Sequence, residues 1–217
     1  GLAAHHSAQS PERFNATLDW AVKLTVIVVL PATVALVMLA GPLTVTIFHY
    51  GKFNAHDVRM ASLALMAYAS GLLAFSMVKV LAPGYFARQD TRTPVRIGIR
   101  SLGLSMGLNL LVVLPLAFAY PGRPGLHALL ALNNGIGAWY NSTMLYRGLR
   151  RSGVLQHGPG WKQTLGQVLA ANVVMVAFLW WFAGDTQRWL DMGTWQRVGG
   201  MSLLVAGGGA LYFGTLY

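Results

Sequence analysis

Apolar residues occupy this chain in long blocks, and charged residues are confined to the short stretches between those blocks. A helix needs about 20 predominantly apolar residues to cross a hydrocarbon core of about 30 Å. Six blocks reach that length, so the pattern predicts an all-α, polytopic membrane protein with six transmembrane helices. The six spans are predicted at residues 19–40, 60–81, 94–119, 125–146, 165–183 and 198–217.

Proline and glycine mark the predicted bends and ends of these spans. Pro31 lies in the middle of the first block, where it predicts a kink. The pair Gly41-Pro42 is predicted to end the first span, and the pair Pro83-Gly84 is predicted to end the second. Thr93-Pro94 predicts the start of the third span, with the threonine as its N-cap and the proline at the first helical position.

The spans and the polar stretches divide the chain into four predicted parts. Residues 1–18 form a polar or amphipathic lead-in that lacks the basic and apolar regions of a signal peptide. Residues 19–146 hold four spans, residues 147–163 form a basic connector, and residues 164–217 hold the final two spans. Both ends look cut, so we expect a fragment of a longer protein.

The composition places the chain among membrane proteins. Hydrophobic residues make up 55% of it, charged residues only 10%, and the mean hydropathy is +0.51. Soluble domains usually have about 25% charged residues. The net charge of +10 could point to nucleic acid, but the cations lie in short connectors, which membrane orientation explains better. No nucleic-acid partner is therefore predicted. The chain has no cysteine, which excludes disulfides and thiolate metal sites.

Lysine and arginine are distributed unevenly over the two sides of the membrane that six spans would define. Eleven of the 16 lie on the side that carries the connectors near residues 88 and 147, and five lie on the other side. The positive-inside rule therefore predicts that these connectors and both chain ends are cytoplasmic. The five residues on the opposite side are Lys52, Arg59, Arg123, Arg188 and Arg197.

Several sequence stretches resemble a known family. The stretch from Lys79 to Arg100 reads "KVLAPGYFARQDTRTPVRIGIR", and the chain also contains "TLDWAVKLTVIVVLPATVAL", "FHYGKFNAHDV" and "NSTMLYRGLRRSGVL". Together these stretches resemble the MurJ/MviN-type lipid II flippases, which are integral membrane proteins of peptidoglycan synthesis. The resemblance covers essentially the whole chain.

The resemblance implies the MATE-like fold of the MOP superfamily, in which two helical lobes enclose a central cavity and alternate access. This chain resembles only the C-terminal lobe and the two helices after it, which in the family form a lipid-lined groove. The implied function is to move lipid II, the undecaprenyl-pyrophosphate-linked peptidoglycan precursor, from the cytoplasmic to the periplasmic leaflet of the bacterial inner membrane. The implied partners are lipid II, membrane lipids and the missing N-terminal lobe, and we do not expect the fragment to be active alone.

Arg88, Arg92, Arg96 and Arg100 recur at every fourth position and are candidates for a substrate or gate site. One interpretation is positive-inside anchoring; the other is electrostatic handling of a lipid pyrophosphate or of an acidic gate partner. By resemblance, Arg88 is the best candidate for a gate contact with a carboxylate on the N-terminal lobe. Lys79, near the cytoplasmic end of the second span, either snorkels to the interface or lines the cavity.

Asn109, Asn133, Asn134 and Asn141 place amide groups inside predicted spans. They are expected either to form interhelical hydrogen bonds or to form a polar cavity face that touches the sugar or peptide of the substrate. Part of the family has a sodium site built from an asparagine and an aspartate one turn apart. Asn109 matches that asparagine, but Val113 stands at the aspartate position, so the resemblance leaves the coupling ion open.

The remaining polar side chains predict no metal site, no cofactor and no catalytic centre. The histidines lack the spacing of metal ligands, and His157 is expected to be isolated. Asp19 and Lys23 are four residues apart and are expected to form a local pair. A membrane enzyme would need paired carboxylates or a metal cluster at membrane depth, and the six acidic residues offer neither. An aromatic belt is expected from Trp161, Trp180, Trp181, Trp189 and Trp195.

Two alternatives to a lipid II flippase stay open on the sequence. One is another MOP-type exporter, of lipid-linked oligosaccharide or of a drug, against which the specific stretch "APGYFARQDTRTPV" argues. The other is a structural or partner-binding membrane segment, which the cut-looking ends keep open.

Overall fold

The computed structural model describes residues 11–120 and 125–217, and all regular secondary structure in these ranges is helical. This confirms the prediction of an all-α protein. The helices are α1 (Pro11–Met38), α2 (Ala40–Phe48), α3 (Ala55–Phe86), α4 (Arg92–Leu108), a π-helical turn (Asn109–Val113), α5 (Leu114–Ala119), α6 (Leu126–Arg151), α7 (Trp161–Ala183), α8 (Thr186–Asp191) and α9 (Thr194–Leu216).

Five segments are long and apolar enough to cross a membrane, so the chain is a multi-pass membrane protein. They are Arg13–Met38, Ala55–Phe86, Arg92–Ala119, Trp161–Ala183 and Thr194–Leu216. The remaining predicted span, the fourth, at residues 125–146, corresponds to α6, which has 26 residues and is long enough at about 1.5 Å per residue. This helix is too polar to join the other five by composition, because it carries Asn133 and Asn134 and, further along, Asn141, Ser142 and Thr143.

The helices pack in a row with a pair at one end. The polar helix α6 lies between α3 and α4, and α3 lies between α6 and α1. The pair formed by α7 and α9 packs beyond α1, while the short helices α2 and α8 contact each other near α3 and α9. Burial of α6 between two neighbours explains how its polar groups are tolerated, since they can bond to adjacent helices instead of facing lipid.

Two apolar clusters form at opposite ends of the bundle. The first surrounds α2 and α8 and includes Val45, Val58 and Trp189. The second joins the start of α1 to the ends of α3 and α6. Its buried members are Leu18, Val22, Leu81, Tyr85, Leu145, Leu149 and Leu155. Between the clusters, α3 and α6 cross at Gly71 and Gly135, where a Cβ on Gly71 would lie 3.0 Å from the Cα of Gly135.

Two of the predicted helix ends were wrong. The first long helix ends before the Gly41-Pro42 pair, which lies in the first turn of α2, so the break falls at Leu39. The helix α3 runs through Pro83 and ends at Phe86. A proline removes one backbone hydrogen bond and crowds the preceding turn, which bends a helix without having to end it.

The predicted N-cap of the third span was wrong as well. The helix α4 begins at Arg92, its N-cap residue is Thr91 and not Thr93, and the side chain of Thr91 makes no capping bond. Instead, the Oδ1 atom of Asp90 accepts a hydrogen bond of 3.0 Å from the backbone N–H of Thr93. Asp90 can do so because the preceding turn places it beside the free N–H groups of the first turn of α4.

Candidate functional site

Three arginines on α4 form an open cationic face, called the arginine stripe below. Arg92, Arg96 and Arg100 are each four residues apart, so they lie above one another on successive turns of the helix. All three side chains are exposed. Among the residues that the structure describes, none of the three guanidinium groups makes a hydrogen bond or an ion pair.

The opposite face of α4 holds the helix against α6. The hydroxyl of Ser101 donates to the carbonyl of Gly137 at 2.6 Å, and that of Ser105 donates to the carbonyl of Asn133 at 3.2 Å. These two serines are the buried residues of α4. The arginine stripe therefore faces away from a helix whose position is fixed by hydrogen bonds from its other side.

The stripe continues as open backbone beyond Arg100. Gly103 and Gly107 follow on the same face, and a Cβ at either position would meet nothing within 4 Å. The distance from Arg92 to Arg100 is about 12 Å along the helix axis. The apolar segment Arg92–Ala119 starts at the first of these arginines, so the stripe occupies the first turns of that segment.

Arg88 lies in the turn between α3 and α4, next to a residue with unusual backbone geometry. The N–H of Asp90 bonds to the carbonyl of Tyr85 at 3.1 Å, and the N–H of Gln89 bonds to that of Phe86 at 2.9 Å. Gln89 has a φ of 59°. This is the Schellman ending of a helix, with glutamine at the left-handed position that glycine usually takes.

Asp90 connects this turn to the arginine stripe. Hydrogen bonds from the side chain and backbone of Thr93 lower the pKa of the Asp90 carboxyl group, and the positive charge of Arg88 contributes in the same direction. Arg88 itself is exposed, and so is Lys79 on α3. In the described ranges, the ammonium group of Lys79 makes no hydrogen bond or ion pair, and no described contact joins it to the stripe.

The four candidate asparagines are not gathered into one site. Nδ2 of Asn133 donates to Oδ1 of Asn109 at 2.8 Å, which ties α6 to the first residue of the π-helical turn. Asn134 is exposed. Oδ1 of Asn141 is buried and has no hydrogen-bond partner among the described residues. Those residues also hold no group of three or more metal-ligating side chains.

A buried polar cluster at Asp19 lies at the end of the bundle where α1 begins, and the spacing of residues in the sequence did not predict it. Oδ1 of Asp19 accepts hydrogen bonds of 2.8 Å each from Nδ1 of His157 and Nε1 of Trp161. Oδ2 accepts a bond of 3.2 Å from the N–H of Gly158. The second imidazole nitrogen, Nε2, lies 2.5 Å from the hydroxyl of Tyr146.

This cluster corrects two expectations. Asp19 bonds to residues about 140 positions away instead of pairing with Lys23, whose Nζ lies 5.6 Å from the centre of the Trp161 ring. His157 is not isolated, because both of its ring nitrogens have partners. A carboxylate at the start of an apolar span needs a hydrogen-bond or ionic partner. The position of Asp19 in the sequence could therefore have predicted that it has a partner, but not which residue that partner is.

Arg197 and Trp189 are both buried near the short helices α2 and α8. Arg197, which the sequence analysis only counted among the five cations of the opposite side, is 6% exposed. Its guanidinium donates to the carbonyls of Trp189 at 2.9 Å, His49 at 3.1 Å and Leu190 at 2.9 Å. Trp189, expected in an interfacial belt, is 3% exposed and donates to the carbonyl of Ala183. The large exposed tryptophans are Trp20, Trp139, Trp180, Trp181 and Trp195.

Comparison with known proteins agrees with this arrangement. A family model described as lipid II flippase MurJ matches residues 1–197. The lipid II flippase MurJ of Burkholderia cenocepacia is 38% identical over 216 residues, which are 99% of this chain and 40% of that protein. Probable lipid II flippases MurJ are 36% identical in Haemophilus influenzae and 34% identical in Vibrio cholerae. Each match covers 99% of this chain, and 41% and 39% of the respective relative.

The chain thus spans about two fifths of the length of these curated relatives. The family match extends over both the arginine stripe and the Asp19 cluster. On the family match and on these identities over nearly the whole chain, this protein belongs to the lipid II flippase MurJ family.

Proposed function

We propose that this chain is the C-terminal part of a flippase that moves lipid II from the cytoplasmic to the periplasmic leaflet of the bacterial inner membrane. Both ends of the chain would be cytoplasmic, and an N-terminal lobe would complete the transport cavity. The observation that carries the proposal is the arginine stripe of Arg92, Arg96 and Arg100, read together with the family to which the chain belongs.

The physical argument rests on the cost of unpaired charge near lipid. An arginine within an apolar span is costly unless it reaches water or an anionic partner. The planar guanidinium group binds phosphate oxygens through two parallel hydrogen bonds, and lipid II carries a pyrophosphate. A row of three unpaired guanidinium groups, rising about 12 Å from the membrane boundary, would let that headgroup pass from one cation to the next.

The neighbouring residues would have supporting roles. Arg88, in the exposed turn before α4, would contact a carboxylate of the N-terminal lobe when the cytoplasmic gate closes. Lys79, exposed on α3, would line the cavity or reach the interface. Asn134 and Asn141 would offer amides to the sugar or peptide, while Asn109 and Asn133 are engaged with each other.

Transport of this kind needs no chemical step, so we propose neither enzymatic activity nor a cofactor for this chain. Rocking of two lobes would move the substrate, and the membrane lipids would solvate its polyprenyl chain. The substitution of Val113 for an aspartate does not favour a sodium site at Asn109.

The test is growth rescue by a complete transporter. The chain would be fused behind the part of the Burkholderia cenocepacia relative that precedes its matched 40%. The fusion would then be expressed in bacteria depleted of their own lipid II flippase. We expect the fusion to restore growth, and Arg96→Glu and Arg100→Glu to abolish the rescue while the protein still inserts.

The matched control is Arg150→Glu. Arg150 is exposed near the end of α6 and lies on the same predicted side of the membrane as the arginine stripe. The Arg150→Glu substitution changes the net charge on the predicted cytoplasmic side as much as Arg96→Glu does, and we expect it to leave rescue intact. Full rescue by Arg96→Glu and Arg100→Glu would reduce the stripe to a topology signal. Lack of rescue by a well-inserted fusion would contradict the flippase function itself.

A further inference from the structure

The Asp19 cluster joins three parts of the fold that are distant in sequence. Asp19 lies on α1, Tyr146 on α6, and His157 in the connector between α6 and α7, residues 152–160. The imidazole bridges the other two, with 2.8 Å to the carboxylate and 2.5 Å to the phenol. The side chains of Asp19 and His157 are only 11% and 23% exposed. Water therefore screens a change of charge at these side chains only weakly.

We propose that Asp19, His157 and Tyr146 form a proton-binding site that controls how tightly the α6–α7 connector is held to α1. The ligand is a proton from water, and the imidazole is its acceptor. Histidine is the side chain whose ordinary pKa allows this exchange near neutral pH. The site does not depend on the flippase function, because it follows from contacts within this chain.

The hydrogen bonds can accommodate both protonation states. An ionised carboxylate only accepts, so Nδ1 of His157 carries a hydrogen toward Asp19. In the neutral ring, Nε2 accepts from the hydroxyl of Tyr146. When a proton binds Nε2, this nitrogen becomes a donor and the Tyr146 oxygen becomes the acceptor. The hydroxyl hydrogen then turns toward a neighbouring cavity of about 250 Å³, lined in part by Ser142 and Thr143.

Protonation changes the strength of the link, while the same atoms can stay in contact in both protonation states. The neutral ring gives Asp19 one hydrogen bond, whereas the imidazolium gives it a charge-assisted bond of the ion-pair type. The carboxylate also holds Gly158 and Trp161, and Oδ1 of Asn15 accepts from the N–H of Gln156 at 2.8 Å. The connector is thus fixed to α1 at several points, and the charged ring strengthens the central one.

The charges around the site set its proton affinity. From α1, Lys23 faces the same opening as Asp19 and lies over Trp161, so it is the cation that competes with the imidazolium. From α6, Tyr146 is the titratable neighbour. The side chains that α3 contributes to the cavity, Met77 and Leu81, do not titrate. Exposed cations lie farther along α6 and α7, at Arg147, Arg150, Arg151 and Lys162.

The first experiment follows the imidazoles of the purified full chain by nitrogen NMR after selective histidine labelling. The chain has six histidines, and His157→Gln identifies the signal of interest. We expect that signal to differ between samples at about pH 5 and about pH 8, and we expect its pH dependence to change in Asp19→Asn. His56→Gln removes an exposed histidine at the start of α3 and is the control that leaves the titration unchanged.

The second experiment measures the link itself. The chain contains no cysteine, so one pair of nitroxide labels can be attached to cysteines introduced at Thr17 on α1 and at Pro159 in the connector. Both positions are exposed. We expect a narrow distance distribution at about pH 5 and a broader one at about pH 8, with no pH dependence in His157→Gln. Tyr146→Phe keeps the ion pair and should keep the response.

Two results would overturn the proposal. A His157 signal that does not titrate over this range, or that titrates identically in Asp19→Asn, would show that no proton-binding pair exists. A distance distribution that is the same at both pH values in the unmodified chain would show that protonation does not control the connector.

Discussion

The hydroxyl of Tyr212 on α9 donates a hydrogen bond of 2.6 Å to the backbone carbonyl of Ile27 on α1. Ile27 is four residues before Pro31, and a proline has no N–H to offer the carbonyl four residues earlier. The side chain of Tyr212 thus supplies the donor that the proline removes. Unsatisfied carbonyls are costly in an apolar medium, so this bond helps fix α9 against the middle of α1.

Replacing Tyr212 by phenylalanine should weaken this contact. Tyr212 is 1% exposed, so water cannot easily take the place of the hydroxyl. We expect Tyr212→Phe to lower the free energy of unfolding by about 1 kcal/mol. Thermal unfolding of the purified chain in detergent, followed by circular dichroism, would measure this loss of stability.

A double-mutant cycle tests whether the cost of Tyr212→Phe comes from the lost hydrogen bond to the Ile27 carbonyl or from another effect of losing the hydroxyl. In Pro31→Ala, residue 31 regains an N–H that can bond to Ile27, so Tyr212→Phe should cost much less in that background. Equal costs in both backgrounds would show that the freed carbonyl is not the reason for the bond.

Arg197 should be one of the most sensitive cations for stability. Its three hydrogen bonds satisfy carbonyls at the ends of α2 and α8, and those carbonyls carry the negative ends of helix dipoles. We expect Arg197→Met to lower the free energy of unfolding by about 3 kcal/mol, because buried acceptors are left unpaired. Arg188→Met, at an exposed arginine on α8, is the control and should have little effect. Similar losses in both variants would contradict the structural role of Arg197.

Hydropathy and spacing were enough to predict the helices and the arginine stripe, because both depend on local periodicity. Arg92, Arg96 and Arg100 share a face in any helix. The partners of Asp19 and Arg197 could not be predicted in this way. Asp19 meets His157 only because α1 lies beside the end of α6, and a single sequence pattern does not record which helices are neighbours. Pro31 was predicted as a bend, but its partner Tyr212 lies 181 positions later.

Gln89 offers a test in which a substitution should stabilise the protein. Its φ of 59° is strained for a residue with a Cβ and unstrained for glycine. We expect Gln89→Gly to raise the free energy of unfolding by about 0.5 to 1 kcal/mol. The same change at Gln167, exposed inside α7, should instead lower it by about 1 kcal/mol. A loss at Gln89 would mean that the left-handed turn is not populated in the protein.

Asp90 gives a prediction about pH. Its folded pKa is lowered below the ordinary value of 3.8, so its stabilising contribution is fully present above that value and is lost as the pH falls through the folded pKa. Asp90→Ala should therefore unfold at a lower temperature at neutral pH, and the difference should shrink below pH 3.8. Asp90→Asn keeps an acceptor without a charge, so the difference between Asp90→Asn and Asp90→Ala in unfolding temperature should not depend on pH. A gap between wild type and Asp90→Ala that does not change with pH would contradict this view.

Two glycines near the arginine stripe should respond in opposite ways to the same substitution. A methyl group at Gly137 on α6 would overlap the hydroxyl of Ser105 and lie 3.1 Å from the carbonyl of Ser101, so α4 would have to move away. A methyl group at Gly103 on α4 would meet nothing within 4 Å. We expect Gly137→Ala to lower the unfolding temperature and Gly103→Ala to raise it, since alanine favours a helix over glycine by about 1 kcal/mol.

In the complete transporter, the same two variants would also separate fold from function. Gly137→Ala would displace the helix that carries the arginine stripe, and growth rescue should fall together with stability. Gly103→Ala would narrow the open face beyond Arg100 without harming the fold, so any loss of rescue there would come from the transport path. If Gly137→Ala were as stable as the unmodified chain, the close contact between α4 and α6 would not exist as described.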